Sequence, residues 1–235
     1  MAPGQASEHY VNASYDAIDA FVIAHTEVIA CPAVPEIRLH AATEVTPLWQ
    51  ATEAFLQESG LDPPYWAFPW PGGMALARHL LDHPDLVRGR RVLDLGSGSG
   101  LTAIAAALAG GRAVVANDTD AVACRAARLN AALNGVTLTV DGSDRLAGDG
   151  GPADERFDVI LAADICYERP MAERAIGWLR REAARGARVL LADPGRAYLP
   201  GSGLAPLARL TVPTSRDLED RESRAVTVYA LAPVA

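Results

Sequence analysis

The sequence contains no lysine, and all 21 of its basic residues are arginine. This absence excludes Schiff-base chemistry and a P-loop, because both require a lysine amine. The 29 aspartate and glutamate residues outnumber the basic ones and leave a formal net charge of -8. This charge argues against nucleic acid as an obligatory partner, since binding phosphates requires clustered cationic side chains. Together with the abundance of alanine, the all-arginine usage suggests a bacterial source with GC-rich DNA.

Cysteine is scarce as well, with Cys31, Cys124 and Cys166 the only three. Their spacing does not match a metal site, and their odd number suggests a reducing compartment. No apolar run approaches the length of a membrane span. The first basic residue is Arg38, so the N-terminus lacks the cationic flank of a signal peptide and the arginine-rich pattern of a transit peptide. We therefore expect a cytoplasmic protein with no metal site and no membrane partner.

The chain has 235 residues, half of them hydrophobic, which suits one globular domain with a short extension. Apolar spacing predicts a helix over Tyr15–Ile29, and the alternation over Glu36–His40 predicts a short strand. A second helix is expected from Pro47 to Ser59. We therefore expect an N-terminal helical extension over residues 1–60 and the main domain over residues 61–235.

The centre of that domain is the segment from Val92 to Gly100, with the sequence VLDLGSGSG. A buried strand, a glycine-rich turn and a helix that starts at Leu101 form a nucleotide-type pocket. A dinucleotide fingerprint needs a small residue where Leu101 stands, so the NAD pattern fails. Asp94, two residues before the first glycine, completes D-x-G-x-G-x-G. This pattern resembles motif I of the class I S-adenosylmethionine (SAM) methyltransferases.

From Arg90 onward strands and helices alternate with short connections, which is typical of an α/β fold with a parallel sheet. At the end of the chain, Leu207–Val212 and Arg224–Leu231 read as two strands with no helix between them. We expect them to pair as an antiparallel hairpin. Five parallel strands plus this hairpin make the Rossmann-like seven-stranded sheet of the SAM methyltransferases. The predicted parallel strands are 91–95, 113–117, 136–140, 157–163 and 187–192.

Two acidic positions follow the second and third of these strands. Asp118 can accept both hydrogen bonds of a ribose diol, since Asp120 is better placed to cap the next helix, and Asn117 would contribute beside it. After the third strand, Asp141 or Asp144 would accept a hydrogen bond from the adenine amino group. These two residues suit a turn equally well.

The fourth strand ends in Asp164, and Tyr167 follows three residues later. A carboxylate and an aromatic ring at this spacing suit a cationic amine, because the ring face attracts an ammonium by about 0.5–2 kcal/mol. The alternative is a helix-capping aspartate followed by a packed tyrosine. The loop Asp193–Arg196, after the fifth strand, lines the substrate pocket or forms a structural turn. Aromatic residues between Tyr65 and Trp70 either wall the active site or anchor the N-terminal extension.

The chain resembles the seven-β-strand protein-lysine methyltransferases, specifically the family that modifies the electron transfer flavoprotein β subunit (ETFβ). The resemblance spans roughly residues 36–235. The glycine motif is common to the superfamily, whereas the D-x-x-Y pattern belongs to the lysine-directed enzymes. The segments that carry the resemblance are Pro64–Ala67, Trp70–Gly73, Val92–Gly98, Ala116–Asp118, Asp164–Tyr167 and Asp193–Arg196.

The resemblance implies that SAM is the cofactor and that Asp94, Gly96 and Gly98, with Ser97 between the glycines, hold its amino-acid end. Asp118 would hold the ribose. Because family members in animals are mitochondrial and this sequence shows no presequence, the bacterial cytoplasm is the expected location.

The resemblance also implies that Trp70 closes over the cofactor and that Asp164 and Tyr167 address the target lysine. Members of the family methylate lysines of ETFβ, up to the trimethyl state, and can act on ribosomal proteins. Two alternatives stay open: a small-molecule amine methyltransferase of the same fold, and a catalytically silent SAM-binding interaction protein. The sequence makes no prediction about the oligomeric state.

Overall fold

The computed structural model describes residues 16–43, 64–147 and 155–233 of the chain. The first of these ranges is only partly helical. Helix α1 spans residues 16–24, and strands β1 (Glu27–Cys31) and β2 (Val34–Ala41) then form an antiparallel hairpin. The predicted helix end at Ile29 is wrong, because Ile29 pairs across this hairpin with Leu39. The predicted strand within β2 is confirmed.

The hairpin is fastened to the main domain by backbone hydrogen bonds to two asparagine side chains. The backbone N–H of Arg38 donates to Asn134 Oδ1 over 2.9 Å, and that of His40 donates to Asn130 Oδ1 over 2.7 Å. The predicted helix over Pro47–Ser59 lies outside the described residues. The division of the chain at residue 60 stays a prediction.

The main sheet has seven strands in the order β5-β4-β3-β6-β7-β9-β8. The first five strands of this order are parallel, and β9 and β8 are antiparallel. The predicted sheet of five parallel strands with a terminal hairpin is therefore confirmed. The strands are β3 (Arg91–Leu95), β4 (Ala113–Asn117), β5 (Thr139–Asp141), β6 (Val159–Ala163), β7 (Arg188–Asp193), β8 (Leu204–Pro213) and β9 (Ser223–Leu231).

Helices cover both faces of this sheet, which is why its central strands are apolar on both faces. Val92 of β3 belongs to one apolar cluster, with Leu76 and Ile104, while its neighbour Leu93 packs with Leu179 in the other. None of the helices in the described ranges is long and apolar enough to cross a membrane. The helices are α2 (Pro71–Asp82), α3 (Leu101–Leu108), α4 (Ala121–Leu133), α5 (Arg169–Ala184) and the short α6 (Arg216–Glu219), with 3₁₀ turns at Tyr65–Ala67 and Pro84–Leu86.

The third strand of the main domain starts three residues later than predicted. The predicted strand began at Val136, but the backbone N–H of Val136 donates to the carbonyl of Ala131 at the end of α4. This bond holds the chain in the helix-terminating turn, so pairing with β4 begins only at Thr139. The prediction for this strand start is therefore wrong.

The strand order changes direction at β3, which has β4 on one side and β6 on the other. In open α/β sheets ligands bind at such a switch point, in the crevice beyond the carboxyl ends of the strands. The glycine turn follows β3 and Asp164 follows β6, so the topology places both at this crevice.

Candidate active site

The glycine turn after β3 has a backbone shape that side chains rarely allow. The φ angles are +67° at Gly96, +53° at Gly98 and +81° at Gly100, all in the left-handed region. At Gly100 a Cβ would also lie 3.1 Å from the Cβ of Ala127. At Gly96 it would meet only Ile165, at 3.6 Å, so the main chain there is open to a ligand.

Asp94 braces this turn from inside the protein. Its side chain is buried, with 2% of the residue exposed, and its Oδ2 accepts hydrogen bonds from Ser97 Oγ over 2.7 Å and from the N–H of Ala103 over 3.0 Å. Burial raises the pKa of the Asp94 carboxyl to about 7. Asp94 therefore joins the turn to the first turn of α3, and its contact with the cofactor stays a prediction.

Asp118 lies beside the same turn, as the ribose prediction requires. Its Oδ2 accepts from the N–H of Gly98 over 2.8 Å, and its Oδ1 accepts from the N–H of Asp120 over 3.0 Å. Asp120 caps α4 by accepting from the N–H of Val122, which confirms the predicted cap, while the role of Asp118 at the ribose stays a prediction. The carboxylate of Asp118 thus reaches the glycine turn from the end of β4.

Asn117 and Asp144 are both engaged within the protein. The amide of Asn117 donates to the carbonyls of Asp141, over 3.0 Å, and Ser143, over 2.9 Å, and so holds the loop after β5. Asp144 lies 2.9 Å from Arg174 of α5, which lowers the pKa of its carboxyl. The roles of Asn117 at the ribose and of Asp144 at the adenine stay predictions. An adenine amino group bound to Asp144 would share its carboxylate with Arg174.

Asp164 has an unusual backbone for a residue with a side chain, with φ at +55°. Such strain costs on the order of 1 kcal/mol and concentrates at functional sites. Oδ2 of Asp164 accepts from the N–H of Gly73 in the first turn of α2 over 2.9 Å. A Cβ on Gly72 would lie 2.5 Å from this oxygen and 2.7 Å from the carbonyl oxygen of Ala192. The paired glycines therefore allow α2 to approach Asp164, a link between two motifs that sequence reasoning missed.

Arg196, from the loop after β7, also reaches Asp164. Its Nη2 lies 3.3 Å from Oδ1 of Asp164 and 2.8 Å from Oε1 of Glu219, a buried residue of the C-terminal hairpin. Burial raises the pKa of Asp164 to about 6, even though Arg196 opposes the shift. The loop prediction placed Arg196 near the pocket, but nothing in the sequence pattern signalled Glu219.

Aromatic rings border this acidic site. The Tyr65 ring lies 5.5 Å from that of Tyr167 and 6.0 Å from that of Trp70. Tyr167 is 45% exposed, so its ring is accessible at the surface. Trp66, in contrast, is buried in an apolar cluster with Val22 of α1. The aromatic segment therefore fits both interpretations: Trp66 anchors the N-terminal extension, and its neighbours border the site.

A cavity of about 390 Å³ opens beside Trp70, between the N-terminal hairpin, the aromatic segment and the C-terminal hairpin. Trp70 and Glu219, which both line it, also contact Arg196, whose Cζ lies 5.9 Å from the centre of the Trp70 ring. Its other lining residues are Ile29, Pro32, Ala42, Thr43, Phe68, Pro69, Pro71, Met74, Pro213, Thr214 and Ser215.

The sheet order, the open glycine turn and the acid after β4 together define a class I SAM methyltransferase. Solved structures share this fold. A putative RNA methyltransferase from Pyrococcus horikoshii superposes with a TM-score of 0.51 and 18% identity, over 79% of this chain and 96% of that one. A putative methyltransferase complexed with SAH superposes with a TM-score of 0.50 and 12% identity, over 68% of this chain and 50% of that one.

Sequence relatives narrow the class to one family. The chain is 39% identical to an electron transfer flavoprotein beta subunit lysine methyltransferase of Xenopus laevis, over 91% of this chain and 87% of the relative. The chain is 38% identical to the human protein of the same name, over 80% of this chain and 70% of that protein. The chain belongs to this family, which confirms the resemblance found in the sequence. It is a SAM-dependent protein-lysine methyltransferase.

A second, shorter similarity covers the part of the chain that contains the glycine turn. The family model for ribosomal protein L11 methyltransferase (PrmA) matches residues 76–168. The L11 methyltransferase of Syntrophotalea carbinolica is 40% identical over 105 residues, which are 43% of this chain and 31% of that protein. The match includes the glycine turn and Asp164 but stops short of Arg196 and the C-terminal hairpin.

Proposed function

We propose that the enzyme methylates lysine residues of ETFβ and that Asp164 receives the target ammonium. The names of the relatives support the substrate. The geometry of Asp164 supports the role, because its largely buried carboxylate follows β6 on strained backbone, at the crevice where the glycine turn also lies. The ring of Trp70 lies against Arg196, which pairs with Asp164, and the ring of Tyr65 lies between those of Trp70 and Tyr167.

The donor side would be held by residues at the ends of β3 and β4. The open main chain of Gly96 and Gly98, with Ser97 between them, suits the amino-acid end of SAM, and Asp94 keeps this turn in shape. Asp118 would bind the ribose. When bound, SAM supplies a methyl group on a sulfonium centre, which a neutral amine attacks in line.

The acceptor side has to bind a lysine that is almost always protonated. With a pKa of about 10.4, roughly one lysine in 2,500 is neutral at pH 7. The carboxylate of Asp164 would bind and orient the ammonium, and the ring of Tyr167 would pack against it. Water accepts the proton once the amine is partly desolvated. Holding the neutral amine at near-attack distance is then the main contribution of the protein to the rate.

Two other substrates are less well supported. The match to the L11 methyltransferase model favours ribosomal proteins as additional substrates, but it stops at residue 168 and leaves out Arg196. A small-molecule amine would also fit a carboxylate with an aromatic ring. The cytoplasmic location, the bacterial source and the absence of nucleic-acid or membrane partners stay predictions of the sequence.

The decisive experiment uses radiolabelled SAM, the purified enzyme, and a bacterial lysate that lacks the enzyme, with purified ETFβ in a parallel reaction. We expect a single labelled protein at the mass of ETFβ, and label in the purified ETFβ as well. Label in a ribosomal protein alone would contradict the choice of substrate. Label only in small molecules would favour the amine methyltransferase, and no label at all would favour a silent SAM-binding protein.

A further inference from the structure

The function proposed above leaves one buried pair of charges beside Asp164 without a role. A single nitrogen, Nη2 of Arg196, lies between two carboxylates: 2.8 Å from Oε1 of Glu219 and 3.3 Å from Oδ1 of Asp164. Glu219 belongs to the C-terminal hairpin and also accepts a hydrogen bond from Arg224 over 2.8 Å. Arg196 therefore contacts both carboxylates, and the shorter contact is the one with Glu219 of the hairpin.

The charges around Asp164 are unequal in number. Asp164, Asp193 and Glu219 oppose Arg196 and Arg224, which leaves one negative charge when all five groups are ionised. Cys166, which also interacts electrostatically with Asp164, is neutral because burial raises the pKa of its thiol to about 12. A substrate ammonium would therefore bring the group to neutrality, which favours its entry into a site of low dielectric.

The guanidinium of Arg196 is not fixed on all sides. Its Nε and the Oδ2 of Asp193 are buried and lack a hydrogen-bond partner among the residues that the structure describes. Oδ1 of Asp193 accepts from the N–H of Arg196 over 2.7 Å and positions the backbone rather than the guanidinium. The guanidinium of Arg196 thus lies between the carboxylates of Asp164 and Glu219, and its Nε makes no hydrogen bond to any described residue.

We propose that Glu219 is a positioning residue for methyl transfer, which draws Arg196 toward the hairpin and keeps its contact with Asp164 the longer of the two, so that the Asp164 carboxylate stays available to the target lysine. Arg196 keeps that buried carboxylate ionised, since an isolated buried charge would take up a proton. Without the charge of Glu219, Arg196 closes on Asp164 and competes with the lysine ammonium. The inference rests on the role proposed for Asp164.

The first test is Glu219→Gln, which keeps the shape of the side chain and removes its charge. We expect the KM for ETFβ to rise about tenfold, as for a charge contact of about 1.4 kcal/mol. The kcat and the Kd for SAM should stay close to wild type, because the glycine turn is untouched. The matched control is Glu222→Gln, since Glu222 lies in the same hairpin but is exposed, and its one ion pair among the described residues is with exposed Arg216. A KM for Glu219→Gln equal to that of Glu222→Gln would overturn the proposal.

The second test needs no substrate. The pKa of Asp164 is measured by ¹³C NMR of carboxyl-labelled enzyme, with the resonance assigned from Asp164→Asn. Glu219→Gln should lower this pKa by more when Arg196 is present than in the Arg196→Gln background, where only the lost charge of Glu219 acts, and Arg196→Gln alone should raise it. A role of Glu219 in hairpin stability alone would give no larger shift with Arg196 present than without it, and that outcome overturns the proposal even if Glu219→Gln melts at a lower temperature.

Two further variants separate the possible failures. The double variant Glu219→Gln/Arg196→Gln lacks the competing cation, so at alkaline pH, where Asp164 is ionised even without Arg196, its KM should fall below that of Glu219→Gln; no fall would contradict the competition. If wild-type enzyme does not methylate ETFβ, the proposed substrate is wrong. The NMR titration of the enzyme alone still decides the role of Glu219, and Arg196→Gln keeps that decision possible should Glu219→Gln fail to fold.

Discussion

The two halves proposed for the active site, a donor half at the glycine turn and an acceptor half around Asp164, are built in different ways. In the donor half, the carboxylates of Asp94 and Asp118 accept hydrogen bonds from backbone N–H groups of the glycine turn and of α3. In the acceptor half, Asp164 forms an ion pair with Arg196 from a distant loop, and Arg196 pairs in turn with Glu219 of the C-terminal hairpin. The donor half is thus shaped by the backbone, and the acceptor half by the balance of charge.

This difference predicts that substitutions will separate the binding of SAM from the use of the lysine. The backbone of the glycine turn would bind SAM, whereas the buried charges around Asp164 would select the lysine. The donor half also lies within the region shared with the L11 methyltransferase model, whereas Arg196 and Glu219 lie beyond it. Substitutions in the donor half should therefore change the Kd for SAM, and substitutions in the acceptor half should change the kinetics with ETFβ.

The largest effect is expected for Asp164→Asn, which keeps the shape of the side chain and tolerates the positive φ. Loss of a buried charged partner costs about 2–5 kcal/mol, so kcat/KM for ETFβ should fall about 30- to 4000-fold. The Kd for SAM, measured by calorimetry, should not change. Loss of SAM binding together with activity would show that the two halves are not separable.

The converse substitution is Asp118→Asn in the donor half. Hydrogen bonds to a charged group contribute about 1.5–3 kcal/mol, so the Kd for SAM should weaken about 10- to 100-fold. At saturating SAM the kcat should recover. Asp120→Asn is the control, because asparagine caps a helix as well as aspartate and SAM binding should be unaffected. Equal weakening by both variants would contradict the ribose assignment.

A smaller effect is expected where α2 approaches Asp164. Gly72→Ala would place a Cβ 2.5 Å from Asp164 Oδ2, so it should destabilise the fold by about 1–3 kcal/mol and lower kcat/KM about tenfold. Gly73→Ala is the matched control, since its Cβ would come no closer than 3.8 Å to a neighbour and the N–H to Asp164 is kept. Thermal unfolding and kcat/KM of the two variants should diverge; similar values would refute the close approach.

The smallest expected effect is a change in the slope of log kcat/KM against pH. Between about pH 8 and pH 9, above the pKa of about 7 for Asp94, log kcat/KM at saturating SAM should rise with a slope of one, because only the lysine then loses a proton. Burial raises the pKa of Asp164 to about 6, so below that pH its carboxylate is also protonated and the slope should approach two. The residual activity of Asp164→Asn should keep a slope of one throughout. A single slope for the wild type would mean that Asp164 does not titrate in this range.

Much of the fold could be predicted because its signals are local. The run Arg91–Leu95 and the alternation of strands and helices after it match the observed elements closely, since buried parallel strands need continuous apolar residues. The start of β5 at Thr139 and the hairpin end of the N-terminal extension could not be predicted in this way. Each depends on a particular backbone contact. The N–H of Val136 bonds to Ala131 at the end of α4, and Ile29 pairs with Leu39 across the N-terminal hairpin.

The residues of the site likewise divide into those that the sequence pattern identifies and those that it does not. The glycine turn and Asp118 can be identified from spacing alone, because their function needs backbone shape and one carboxylate at a strand end. Glu219 could not be identified, since a glutamate in a charged hairpin loop normally lies in solvent. Its burial against Arg196 depends on how the hairpin packs beside β7.

The sequence by itself determined the sheet, the cofactor class and the family, because these depend on periodicity and on motifs within a few neighbouring residues. Only the tertiary structure decided which charges surround Asp164 and why Gly72 must lack a side chain. Contacts of this kind join segments far apart in the chain, and no local pattern encodes the distance between them. The donor motif is therefore readable in the sequence, whereas the charge balance of the acceptor site exists only in the folded protein.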